Sequence, residues 1–210
     1  MNGVRVKVKI CGVTRVQDAL AASEAGADAV GLMFYERSPR FVMRQRAADI
    51  IAALPPFVAK VGVFVDAPEE EVRRTISECG LDTLQFHGQE SPEYCRRFGL
   101  KVIKAFRIRD AQTLAAAGAY DQETWLLDSY AEGAPGGTGK SFNWDLAATV
   151  VRGGGRILLA GGLTPENVGQ AVTQVRPFGV DVSSGVESAP GIKDSAKIRA
   201  FIEAARADAS

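Results

Sequence analysis

The chain has 210 residues, enough for one domain with a sizeable core, and its 46% hydrophobic and 24% charged content is that of ordinary globular protein. Lys+Arg and Asp+Glu both number 25, so the formal charge is zero, and the basic excess expected of a non-specific nucleic-acid binder is missing. The 3 cysteines are widely spaced and fit neither a disulfide framework nor a C-x-x-C metal pattern, and the single histidine, His87, excludes a multi-histidine metal site. There is no apolar run of signal-peptide or membrane-spanning length, so a reducing cytosol is the expected compartment.

Short apolar strands alternate with amphipathic helices at a period of roughly 25 residues. The first strand, Val6–Ile10, ends at Cys11-Gly12. A thiol leaving the carboxyl end of a strand is poorly placed for packing and well placed for chemistry, although most free cysteines are buried small hydrophobes. Helix Gln17–Ala25 ends at Gly26, a suitable C-cap. Strand Ala29–Phe34 leads into Tyr35-Glu36-Arg37-Ser38-Pro39-Arg40, and helix Arg44–Ala53 stops at Pro55-Pro56. Strand Val58–Val65 gives way to Asp66, a turn or helix-entry residue near Pro68. Helix Glu69–Cys79 carries its glutamates in the first turn, where the dipole favours them, and ends at Gly80. Strand Thr83–Phe86 precedes His87-Gly88 and helix Pro92–Phe98. Strand Val102–Phe106 precedes Arg107 and helix Ala111–Ala117. Strand Trp125–Asp128 opens a long irregular stretch, Ser129 to Ser141, followed by helix Asn143–Val151. Strand Ile157–Ala160 leads to Gly161-Gly162 and helix Pro165–Gln174. Strand Val180–Val182 leads to Ser183-Ser184-Gly185, and helix Ser195–Ala207 closes the chain. Eight such alternations predict an α/β fold, a single-domain (β/α)₈ barrel over residues 1–210. The rival is a doubly wound open sheet, which usually has fewer strands or a second domain.

In a barrel the residues after the strands share one mouth. The turns Gly161-Gly162 and Ser183-Ser184-Gly185 fall after strands 7 and 8, where a phosphate site recurs. Thr164 is the expected N-cap of the helix after the first turn, and Val186-Glu187 could open a short extra helix after the second. Backbone N–H groups at such positions suit a phosphate dianion. Ala134-Pro135-Gly136-Gly137-Thr138-Gly139-Lys140-Ser141 resembles a relaxed P-loop. However, Ser129 to Gly133 separate it from its strand, and a lid in which Thr138 or Lys140 closes over an anion is the better reading. His87 reads as a hydrogen-bonding wall residue rather than a base. Cys79 and Cys95 fall within helices and read as structural.

These residues resemble the phosphoribosylanthranilate isomerase family over nearly the whole chain. The resemblance lies in Lys9-Ile10-Cys11-Gly12-Val13-Thr14, Gly31-Leu32-Met33-Phe34 with Ser38-Pro39-Arg40, Val61-Gly62-Val63-Phe64-Val65 and Leu84-Gln85-Phe86-His87-Gly88. It continues through Leu127-Asp128-Ser129, Gly136-Gly137-Thr138-Gly139, Leu159-Ala160-Gly161-Gly162-Leu163 and Asp181-Val182-Ser183-Ser184-Gly185-Val186-Glu187. The resemblance implies that Cys11 is the general base, that Asp128 is the general acid and that Arg40 holds the anthranilate carboxylate. Substrate contacts are expected from His87, Gly137, Gly161, Gly162, Ser183, Ser184 and Gly185.

The implied reaction is the Amadori rearrangement of N-(5-phosphoribosyl)anthranilate to 1-(2-carboxyphenylamino)-1-deoxyribulose 5-phosphate, a step of tryptophan synthesis. Asp128 would protonate the furanose ring oxygen, and Cys11 would take the C2′ proton of the resulting iminium. A thiolate base requires a lowered pKa, which nearby cations or the iminium itself could supply. The chemistry needs no metal or other cofactor. The expected partner is the small-molecule substrate, with no nucleic acid and no membrane, in a monomer or homodimer. Two alternatives are another phosphosugar aldose–ketose isomerase and a non-catalytic phosphate-binding barrel. The first would need a second phosphate site, and the second would need neither Cys11 nor Asp128.

Overall fold

The computed structural model describes residues 5–108, 114, 117–118, 120, 124–128 and 144–207. Eight strands form a closed barrel: β1 (Lys7–Ile10), β2 (Ala29–Met33), β3 (Ala59–Phe64), β4 (Thr83–Phe86), β5 (Lys101–Arg107), β6 (Thr124–Asp128), β7 (Ile157–Ala160) and β8 (Gly179–Val182). Sheet order follows chain order and every pairing is parallel, with β8 returning to β1 in the register Lys9↔Asp181 and Ile10↔Val182. All eight carboxyl ends therefore open on one face. The expected strands differ from these by at most one residue at either end.

The alternation along each strand divides the apolar residues into two layers. Val61, Ile103, Ala105, Leu126, Leu158 and Ala160 pack together inside the barrel. The intervening residues, among them Val8, Ile10, Val30, Leu32, Leu127 and Val180, join a larger layer beneath the helices. Those helices are α1 (Val16–Glu24), α2 (Arg44–Ala53), α3 (Glu69–Cys79), α4 (Pro92–Cys95), α5 (Trp144–Arg152), α6 (Val168–Val175) and α7 (Ser195–Arg206). A 3₁₀ turn, Ser184–Val186, and an antiparallel pair, β9 (Glu187–Ala189) with β10 (Ile192–Lys193), lie between β8 and α7. Among the described residues no helix is long and apolar enough to cross a membrane.

Two helix expectations need correction. The segment expected as helix Pro92–Phe98 is helical over Pro92–Cys95 alone. Phe98 turns into an aromatic cluster, with its ring 5.4 Å from that of Phe86 and 5.2 Å from that of Tyr94, and Gly99 then reverses the chain at φ +69°. The helix expected from Pro165 begins at Val168, and Asn167 rather than Thr164 is the residue before it. The Asn167 amide accepts from the Thr164 N–H at 2.8 Å and donates to the Gly162 carbonyl at 2.9 Å, closing a separate turn ahead of the helix. Helix Ala111–Ala117 falls mostly outside the described residues, and the stretch from Ser129 to Ser141 wholly so.

Candidate active site

Cys11 leaves β1 at the mouth of the barrel. Its N–H donates to the Val182 carbonyl at 2.8 Å, so the β1–β8 seam runs up to the thiol. Gly12 then turns the chain at φ +69°, a conformation that costs glycine nothing. Gly31 on β2 faces this point without a side chain. A Cβ there would stand 2.8 Å from Cys11 Sγ and 3.1 Å from Lys9 Nζ, so the missing methyl is what leaves room for thiol and ammonium side by side. Lys9 is itself buried and paired with Asp181 at 2.8 Å. Burial alone would lower the Lys9 pKa, but Asp181 and Cys11 raise it above its ordinary value, so the side chain is a fixed cation. Burial pushes the Cys11 thiol up, and Lys9 and Lys193 oppose this without overcoming it. The cations foreseen for a thiolate are present, yet in the free protein the thiol lies above its ordinary range, not below it.

Arg40 stands beside this group. Its Nε and Nη2 bind both oxygens of Glu187 at 2.8 and 2.7 Å, a planar two-point bond that fixes the guanidinium. Glu187 also accepts from Lys193 Nζ at 2.8 Å, and that ammonium bonds the Ser183 carbonyl at 3.1 Å. A Cβ on Gly12 would strike Arg40 Cδ and approach Ser183 Oγ to 3.0 Å, so this glycine also gives the arginine stem its path.

Asp128 ends β6, with its Oδ2 3.3 Å from His87 Nε2. The side-chain amide of Gln85 lies 3.2 Å from His87 Nδ1; with that amide donating, the imidazole proton sits on Nε2 and faces the carboxylate. The turn carrying His87 is held from below. Glu90 accepts from the N–H groups of Gly88 at 2.9 Å and Asp66 at 2.8 Å, and pairs with buried Lys104 at 3.2 Å. Lys104 in turn donates to the Gly88 carbonyl at 2.7 Å. Asp66, at φ +50°, accepts from the Gln89 N–H at 2.6 Å, so it is a turn residue as expected.

The two glycine turns meet. Gly161 and Gly162 both take positive φ, +86° and +65°, and a Cβ on Gly185 would run into the carbonyl of Leu163. Ser184 and Gly185 lie in the 3₁₀ turn and Ser183 directly precedes it; the short extra helix expected to open at Val186-Glu187 is instead this turn, which ends at Val186, and Glu187 begins β9. Arg37 and Arg107 are exposed. Gly137, Thr138 and Lys140 lie outside the described residues. Sequence reasoning assigned no part in the site to Lys9, Gln85, Glu90, Lys104 or Lys193, and gave Glu187 only a place at the start of a short helix. The available signal was the presence of charged residues in otherwise apolar strands, as in Val8-Lys9-Ile10 and Ile103-Lys104-Ala105.

Residues 8–204 match the family model described as N-(5'phosphoribosyl)anthranilate (PRA) isomerase. The chain belongs to the PRA isomerase family. An N-(5'-phosphoribosyl)anthranilate isomerase from Geotalea uraniireducens is 55% identical over 200 residues, covering 95% of this chain and 98% of that protein. Among solved structures, the family member from Thermotoga maritima superposes with a TM-score of 0.91 at 44% identity, covering 96% of this chain and 99% of that one. A second PRA isomerase structure, with TM-score 0.87 and 41% identity over 96% of this chain and 99% of its own, is a complex with reduced 1-(o-carboxyphenylamino)-1-deoxyribulose 5-phosphate.

Proposed function

We propose that Cys11 and Asp128 divide between them the proton transfers of the reaction that gives the family its name. The chain is a phosphoribosylanthranilate isomerase of tryptophan biosynthesis, an aldose–ketose isomerase. The observation that carries the assignment of roles is the placement of the two groups. The thiol leaves β1 and the carboxyl ends β6, three strands apart round a ring of eight, so a sugar between them meets one on each side.

Asp128 gives its proton to the furanose ring oxygen while the anilino nitrogen lone pair expels it, which leaves an open chain with an iminium at C1′. Cys11, as thiolate, takes the proton from C2′. The C–H electron pair becomes the C1′=C2′ bond, and the C=N pair returns to nitrogen. Gain of a proton at C1′ and loss of one from the C2′ hydroxyl then give the ketone. Arg40, held through Nε and Nη2 by Glu187, retains Nη1 for the anthranilate carboxylate. The turns at Gly161-Gly162 and Ser183-Ser184-Gly185 receive the phosphate. His87 lines the wall and steadies Asp128 at 3.3 Å. The product analogue bound by the relative is an aryl carboxylate and a phosphate on one open sugar chain, and the two ends of this mouth fit that pattern.

We read residues 1–210 as one catalytic barrel, acting in the cytoplasm as a monomer or homodimer. A PRA isomerase from T. maritima is dimeric, which favours the homodimer, and sedimentation of the pure protein decides it. The deciding test of mechanism is the decay of anthranilate-type fluorescence when freshly made phosphoribosylanthranilate meets wild type, Cys11→Ser and Asp128→Asn. Each variant should lose at least about 10²-fold in kcat, with product affinity within a few-fold of wild type. Turnover within a few-fold of wild type in either variant would remove that residue from its role.

A further inference from the structure

Of the charged groups around the thiol, Lys9 stands in a different relation from the rest. From β1 itself comes Lys9, and from β8 comes Asp181. The segment after β2 brings Arg40, and β9 and β10 bring Glu187 and Lys193. Arg40 and Lys193 are both committed to Glu187, at 2.7 and 2.8 Å, and act on the sulfur through charge alone. Lys9 is the strongest of the opposing charges, and its Nζ and the Cys11 Sγ crowd the same bare Gly31, 3.1 and 2.8 Å from where a Cβ would stand. The two side chains leave β1 two residues apart and so share one face. Asp181 holds the ammonium from the neighbouring strand at 2.8 Å, with side-chain exposure of 2% and 10% for the pair. A buried ion pair stabilises a fold little compared with apolar residues of similar volume. Stability alone therefore does not account for a lysine in the barrel interior, directly beneath the one thiol at the mouth.

We propose that Lys9 is a positioning residue for the isomerisation: its ammonium, clamped by Asp181, holds Cys11 Sγ towards the substrate and stabilises the thiolate that removes the C2′ proton. In the resting protein the thiol ionises by releasing its proton to water at the open mouth, and Lys9 keeps its own proton throughout. During the C2′ transfer the sulfur gains a proton and its attraction to the ammonium weakens. When the sulfur later gives that proton to water at the mouth, the attraction is restored and the pair is reset. The desolvation that pushes the thiol up would push it further without Lys9, and the thiolate fraction at neutral pH would fall in proportion.

This inference rests on Cys11 being the base, but its test does not need turnover. Alkylation of Cys11 by iodoacetamide at fixed pH, followed on the Cys11 peptide by mass spectrometry, reads the thiolate directly. Lys9→Met should slow it about tenfold, and Lys9→Arg should recover most of the rate. In turnover, Lys9→Met should move the rising limb of the kcat/KM–pH profile to higher pH by about one unit while KM stays within about twofold. If Lys9→Met does not fold, Lys9→Met/Asp181→Asn is compared with Asp181→Asn, so that the lysine charge remains the sole difference. An unchanged alkylation rate in a folded Lys9-free variant overturns the proposal, as does a loss of activity that is the same at every pH. A fully active Cys11→Ser would instead overturn the assignment of the base.

Discussion

Glu187 shows how much of the site is set by one side chain that need not touch substrate. Burial would raise its carboxyl, but the hydrogen bonds and charges of Arg40 and Lys193 hold it below its ordinary value of 4.5. A carboxylate depressed on folding stabilises the fold above its unfolded pKa, and that stability is lost as pH falls through the folded one. In wild type, the melting temperature should therefore drop as pH falls below about 4.5, partly through this group. Glu187→Gln should lose that part of the acid slope and be less stable by about 1–3 kcal/mol at neutral pH, since two cations lose their counter-charge. It should also raise KM about tenfold, more than it lowers kcat, because Arg40 is no longer held by a charged two-point bond. Thermal melts across the pH range and steady-state kinetics check both effects. An unchanged KM would mean that Arg40 keeps its position without Glu187.

Among the elements, two glycines separate backbone cost from site geometry. Gly80 ends α3 at φ +73°, and a Cβ added there would meet nothing within 4 Å, so Gly80→Ala should cost about 1 kcal/mol and leave turnover unchanged. Gly185 has ordinary φ, yet a Cβ there meets the Leu163 carbonyl, so Gly185→Ala must part the two turns after β7 and β8. That variant should weaken binding of inorganic phosphate as well as substrate. Calorimetric titration with phosphate checks it, and unaltered phosphate affinity would detach Gly185 from the anion. The same elements show what a sequence makes legible. Strands such as Ile157–Ala160 announce themselves because four consecutive buried apolar residues between glycine-rich turns have few other uses. α4 does not announce its length, because the choice between another helical turn and docking Phe98 beside Phe86 is made by residues on a different strand. That Cys11 and Asp128 stand at strand ends was legible from the alternation of strands and helices. The Lys9–Asp181 and Arg40–Glu187 pairs were not, since partners 172 and 147 residues apart are matched only by the register of a closed ring.

In the molecule as a whole the ring closes where its first and eighth strands meet. β1 pairs with β8, and the thiol, its ammonium and Asp181 straddle that line. Contacts of such long sequence separation form late, because the entropy of the intervening chain must be overcome first. On dilution from denaturant, enzymatic activity should return more slowly than far-ultraviolet circular dichroism, and the gap should widen in Asp181→Asn. Stopped-flow dichroism alongside timed assays measures this, and coincident recovery would place the seam early in folding.

A ribosome making this chain releases Cys11 and Arg40 well before Asp181, Glu187 and Lys193. Through most of its synthesis the nascent chain therefore carries a thiol with neither its clamped ammonium nor its barrel wall. Growing or prematurely terminated chains are chemically silent towards the sugar phosphate, and a stop codon anywhere before the eighth strand yields no partial enzyme.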